Sequence, residues 1–112
     1  MRRDDHVRPQ HMLDAAREAI SFVSGRTRDQ FAADRMLALA VVKEIEIIGE
    51  AASKVSAETR TQLPRIPWPD VVGIRNRLIH AYFDVDYDRV WVTVTESLPE
   101  LVAQLEPSLA GV

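Results

Sequence analysis

Met36-Leu37-Ala38-Leu39-Ala40-Val41-Val42-Lys43-Glu44-Ile45-Glu46-Ile47-Ile48-Gly49-Glu50-Ala51-Ala52 lies at the centre of the longest helical signal in the chain, which runs from Phe31 to Val55. Met36, Leu37, Ala40, Val41, Ile45, Ile48 and Ala52 recur at helical spacing and form one wide apolar face. Gly49 interrupts that face. A glycine inside a helix costs up to about 1 kcal/mol against alanine, so the close approach of a second helix is the expected compensation. Glu46 and Glu50 lie four residues apart on one strip. Their expected role is structural, as partners for an arginine elsewhere. Two carboxylates at this spacing could also take a divalent cation, but no third carboxylate is near in sequence, and no metal is expected.

Working outward toward the N-terminus, Thr27-Arg28-Asp29-Gln30 has the form of a capping box and starts a helix. Before it, Met12, Leu13, Ala16, Ile20 and Val23 outline a first helix from about Asp5 to Ser24, with Pro9 in its first turn and Gly25 as its C-terminal stop. Toward the C-terminus, Ser56-Ala57-Glu58-Thr59 opens a short helical turn that ends by Leu63. Pro64, Pro67 and Pro69 then make a stiff connector. A third helix begins at Trp68 or Pro69 and is expected to run to about Tyr82. Phe83-Asp84-Val85 reads as a tight turn, and Asp86 as the cap of a fourth helix with Asp88 suited to its dipole. Val90, Trp91, Val94, Leu98, Leu101, Val102 and Leu105 supply that helix's apolar face, and Pro99 predicts a kink or break near Ser97. The β-branched run Val90 to Thr95 has strand propensity. The helical spacing continues through it, and no partner strand is apparent elsewhere, so it is read as helix. The expectation is an all-α, up-down four-helix bundle with a short extra helical turn, a single domain over residues 1–112. Uncovered apolar surface makes a homodimer the expected state.

The composition agrees. A chain of 112 residues, 46% hydrophobic and 28% charged, has room for one core. No apolar run is long enough to span a bilayer, and none follows Met1-Arg2-Arg3-Asp4-Asp5-His6, so neither a membrane anchor nor a secretory leader is expected. Cysteine is absent, which rules out disulfides and thiolate metal sites and fits a cytoplasmic protein. The net charge of −3 suits bulk electrostatic binding of long duplexes poorly, so any nucleic-acid contact must come from a local cluster. Lys43 and Lys54 are the only lysines; the remaining cations are arginines, which suit forked phosphate contacts.

Chemistry concentrates in Arg75-Asn76-Arg77-Leu78-Ile79-His80-Ala81-Tyr82. Read as a helix, this stretch puts Arg75 in the middle of an arc formed by Val71, Val72, Leu78, Ile79 and Tyr82. Asn76 and His80, four apart, stack on the edge of the arc, and Arg77 points to solvent. An arginine in an apolar stripe needs a partner, and Glu46 or Glu50 is the obvious one. Imidazoles exchange protons near neutral pH. A guanidinium steadies charge on a phosphate, and Asn76 can orient a hydroxyl or the imidazole. These are adequate parts for metal-independent cleavage of RNA, whose own 2′-OH supplies the nucleophile. The competing reading is that His80 caps a core edge while Arg75 makes a structural ion pair. His6 and His11, five apart, are read as surface residues, and Trp68 and Trp91 as core or interface anchors. Glycine-rich phosphate loops and metalloprotease motifs are absent.

Arg75-x4-His80-x-Tyr82 resembles the Arg-x4-His-x-Tyr motif of HepT-like toxins in the HEPN superfamily. The resemblance extends to Phe31-Ala32-Ala33-Asp34-Arg35, to Ile45 through Ala52 around Gly49-Glu50-Ala51-Ala52, to Ile66-Pro67-Trp68, and to Phe83-Asp84-Val85-Asp86-Tyr87-Asp88 through Trp91. It covers nearly the whole chain, in order. It implies an all-α homodimer whose two motif helices meet in a composite cleft, and a metal-independent ribonuclease needing no cofactor. Arg75 and His80 would be the active pair, with Asn76 the polar residue after the arginine and tRNA or mRNA the substrate. It further implies a nucleotidyltransferase antitoxin that transfers AMP to Tyr82, placing bulk and negative charge where an RNA phosphate must sit. The alternative is a non-catalytic helical module that binds a nucleotidyltransferase or its nucleotide.

Overall fold

The computed structural model describes residues 3–80 and 84–110, with backbone alone at residues 3, 4 and 80. A single 3₁₀ turn, Arg3–His6, leads into α1, Val7–Val23. There follow α2, Arg28–Ala32; α3, Arg35–Ser53; α4, Ala57–Gln62; α5, Trp68–Val72; and α6, Ile74–Leu78. Two two-residue strands, β1 (Ile79–His80) and β2 (Asp84–Val85), precede α7, Tyr87–Val92, and α8, Leu98–Leu109. A π-helical turn, Thr93–Ser97, joins α7 to α8 into one rod. The architecture is an all-α bundle. α1 lies along both α3 and α8, while α5 and α6 cover the C-terminal half of α3. Met12, Phe31, Val41, Ile45, Ile48, Val94 and Leu105 form the fully buried centre.

The local signals set most helix ends. Thr27 and Gln30 complete the capping box reciprocally, with Gln30 N donating to Thr27 Oγ1 and Thr27 N to Gln30 Oε1. Ser56 accepts from Thr59 N, and Asp86 from Arg89 N, each at 3.1 Å. Gly25 has φ +75°, the left-handed conformation that ends α1 without a Cβ penalty. Pro69 sits in the first turn of α5, where no N–H is missed. The connector before it is pinned from two sides: Trp68 Nε1 donates to Leu63 O at 3.1 Å, and Arg60 lies 5.4 Å from the Trp68 ring centre while donating to Ala52 O.

Three expectations change. The Phe31–Val55 segment is not one helix. It breaks at Ala33–Asp34 and ends at Ser53, because the Asp34 carboxylate accepts from Leu37 N at 3.0 Å and caps α3 separately. The break turns Phe31 inward, fully buried, edge-on to Tyr87 (ring centres 6.1 Å apart) and tilted against Trp91 (5.5 Å). The third helix does not reach Tyr82. It is interrupted at Gly73 and stops at Leu78, where Ile79 turns extended (φ −123°, ψ 120°). Ile79 pairs antiparallel with Val85 and His80 with Asp84, and Asp86 N donates to Leu78 O at 2.9 Å. This ladder satisfies backbone groups that the helix end leaves open. It also means that a short strand pair does exist, and that Asp84–Val85 is strand rather than turn; Phe83 lies outside the described residues. Val90–Thr95 remains helical, as its spacing predicts. Pro99 does not break the helix, which continues through the π turn; proline lacks an N–H and crowds the carbonyl four residues back, at Thr95, and the wider turn lies there.

The glycine in α3 has the expected function. A Cβ on Gly49 would stand 3.3 Å from Val71 O and 3.4 Å from Val72 O. The backbones of α3 and α5 therefore nearly touch, and this contact sets the height at which α6 crosses α3.

Candidate active site

Arg75 projects from α6 across α3, and its Nε donates to Glu46 Oε1 at 3.1 Å. The partner is the expected one, but the setting is not a buried seam. The Arg75 side chain is 52% exposed, because α6 has only five residues and its inward positions are taken by Leu78 and the half-buried Ile74. Asn76 is exposed beside it. The helical register expected to place Asn76 and His80 one turn apart does not extend that far: α6 ends at Leu78 and His80 belongs to β1. The His80 side chain and the whole of Tyr82 lie outside the described residues. Arg77 points to solvent as expected and binds Asp70 at 2.6 Å. Glu50 turns to Lys54, at 3.1 Å, rather than to Arg75.

Arg75 lines a cleft of about 390 Å³ whose walls carry Arg8 and His11 from α1, and Lys43, Glu46 and Glu50 from α3. His11 is exposed, as expected of a surface residue, yet it faces the same space as Arg75. The sequence hint was its position one turn after Arg8 on α1. His6 is half-buried rather than superficial, and its Nε2 has no hydrogen-bond partner among the described residues. Trp68 is a core anchor and Trp91 a half-buried one. A larger cavity of about 620 Å³ opens between α5–α6 and α8, but Arg75 is not in its wall. Of the charged groups lining it, Arg77 pairs with Asp70, while Asp88 pairs with Arg28 and Arg89 with Asp86.

One ionisable feature was not legible in the sequence. Glu44, buried on α3, faces Glu18 of α1. Burial raises its carboxyl above the ordinary range, and the charge of Glu18 together with a hydrogen bond from the shared proton raises it further. Among the described residues, no group of three or more His, Cys, Asp or Glu side chains is placed to hold a metal ion. No helix of the described residues is long and apolar enough to cross a membrane.

A family described as ribonuclease HepT-like matches residues 12–107. A protein of Methanocaldococcus jannaschii named "Putative RNase MJ1380" is 36% identical over 95 residues, which cover 85% of this chain and 87% of its own. One from Caldanaerobacter subterraneus subsp. tengcongensis, "Putative RNase TTE0752", is 36% identical over 100 residues, 89% of each chain. "Probable ribonuclease HepT" of Thermococcus cleftensis is 37% identical over 98 residues, covering 84% of this chain and 89% of its own. No solved structure matches the chain. The matched span takes in α3, α6, both strands and all but the last two residues of α8, and with it Glu46, Arg75, Asn76, His80 and Tyr82: the chain belongs to the HepT-like family.

Proposed function

We propose that this protein is a metal-independent endoribonuclease acting as the toxin of a toxin–antitoxin pair. The observation that carries the reading is the presentation of Arg75. Its guanidinium is held through Nε by Glu46, in the wall of an open cleft, in a chain of the HepT-like family. The two terminal nitrogens make no further bond to a described residue, which leaves a forked edge for a phosphate. In this reading Arg75 braces the phosphodiester and Asn76 orients the ribose hydroxyl or the imidazole. His80 accepts the 2′-OH proton or donates one to the departing 5′-oxygen. The 2′-oxygen bonds to phosphorus as the bond to the 5′-oxygen breaks, so the protein needs no nucleophile of its own.

The active form is a homodimer with a composite cleft. Its support is the apolar surface left uncovered on α3, where Met36 is 82% exposed and Leu39 and Ile47 stay more than a third exposed. A nucleotidyltransferase antitoxin neutralises the enzyme by transferring AMP to Tyr82. Co-expression with that partner then adds one AMP mass, which Tyr82→Phe abolishes.

The deciding experiment incubates unmodified, mass-checked protein with total RNA and with tRNA in EDTA, beside His80→Ala and Arg75→Ala. Cleavage by the wild type alone is expected. Undiminished cleavage by folded His80→Ala refutes the catalytic assignment. No cleavage by folded wild type moves the protein to the non-catalytic alternative, a module that binds the nucleotidyltransferase or its nucleotide.

A further inference from the structure

The cleft around Arg75 holds more positive charge than the single phosphate contact uses. Of the charged side chains in its wall, Arg75 and Glu46 neutralise each other, and Glu50 is neutralised from outside by Lys54. Arg8 of α1 and Lys43 of α3 remain, with no ion pair to any described residue. A chain of net charge −3 thus keeps, among the described residues, two cations without an ion pair in the cleft that contains its motif arginine. Both are on the first two long helices, not on the motif segment. Ordinary surface pairing offers each an i±4 neighbour: Met12 and Asp4 for Arg8, Leu39 and Ile47 for Lys43. Lys43 therefore has no carboxylate at that spacing, and Glu46, three residues on, is engaged by Arg75.

We propose that Arg8 and Lys43 form the track for the RNA strand on either side of the scissile phosphate, each contacting one neighbouring phosphate while His11 lines the space between the helices that carry them. The proposal rests on the reading of Arg75 as the scissile-phosphate site. The substrate class it names is single-stranded RNA. A net charge of −3 suits bulk electrostatic binding of a long duplex poorly, so the contacts come from this local cluster of cations. Recognition of unpaired RNA does not need a long basic face.

The test measures binding of a short fluorescein-labelled single-stranded RNA by anisotropy, in EDTA, as NaCl is raised from about 50 to about 200 mM. The His80→Ala protein serves as the parent, so that binding is read without cleavage. Each lost phosphate contact to a single strand lowers the slope of log K against log salt by about 0.7. Arg8→Gln with Lys43→Gln is expected to flatten it by about 1.4, twice that increment. A charge-matched control, Arg65→Gln with Arg77→Gln in the wall of the other cavity, is expected to leave the slope unchanged. An unchanged slope in the Arg8/Lys43 variant, with a reduced slope in Arg75→Gln, overturns the track and leaves the Arg75 site standing. Equal flattening by the control also overturns it, as bulk charge. No RNA binding by the parent, or no effect of Arg75→Gln, removes the Arg75 reading and the track with it.

Discussion

Gly49 links the packing of α3 to the placement of Arg75, and a graded substitution there tests that link. In Gly49→Ala, helix propensity favours alanine by about 1 kcal/mol. Against this, the new Cβ meets Val71 O at 3.3 Å and Val72 O at 3.4 Å, both backbone atoms that cannot rotate away. These distances are tighter than most Cβ contacts, so α5 must retreat by a few tenths of an ångström. The two effects nearly cancel, and Gly49→Ala is expected within about 1 kcal/mol of wild type. Gly49→Val adds two methyl groups directed at the same carbonyls, and overpacking of this kind costs about 1–3 kcal/mol. For a domain of this size each kcal/mol lowers Tm by roughly 4 °C. Urea midpoints and thermal melts by circular dichroism give the stability order. RNA cleavage in EDTA, measured well below Tm, gives the displacement of Arg75: α6 follows α5 directly through Gly73, so activity should fall further than the folded fraction does. A Gly49→Val protein as stable as the wild type would refute the close approach. A destabilised but fully active one would refute its connection to the site.

Phe31→Ala empties a fully buried position between Tyr87 and Trp91, for an expected loss of about 3–5 kcal/mol in urea unfolding; a loss under about 1 kcal/mol would show that α2 does not anchor α7. Glu44 should make stability fall as pH rises. Its carboxyl is raised in the folded chain, so between the unfolded and folded values the native state holds a proton that the unfolded state has released, and stability present at lower pH is lost through that window. Glu44→Gln is expected to flatten this dependence and to gain stability over wild type as pH increases, read from urea midpoints across the acidic to neutral range. An undiminished slope in the Gln variant would assign it to other groups.

The features legible in the sequence are those whose partners lie within about one helical turn. Thr27 with Gln30, Ser56 with Thr59, and Asp86 with Arg89 cap as their spacing predicts. Gly25 ends α1 because its left-handed φ is a local requirement. The Glu46–Arg75 pair was expected for an arginine in an apolar stripe; the pair forms, but with Arg75 half exposed rather than in a buried seam. Asp34 misled because an aspartate inside an amphipathic pattern fits either an exposed helical position or a cap. Its bond to Leu37 N, together with the burial of Phe31, selects the cap.

The sequence by itself determined the helical bundle, its caps, the proline-guided connector and the Arg75-x4-His80-x-Tyr82 motif, because each depends on periodicity or on residues a few positions apart. Only the tertiary structure decided that α6 stops at Leu78, since that end depends on Ile79 finding Val85 and on Leu78 O receiving the amide of Asp86. It also decided that Glu50 serves Lys54 rather than Arg75, that Glu44 faces Glu18, and that Arg8, His11 and Lys43 share the cleft of Arg75. Those groupings arise where separate helices pack, and the energies that choose them belong to contacts between residues far apart in the chain.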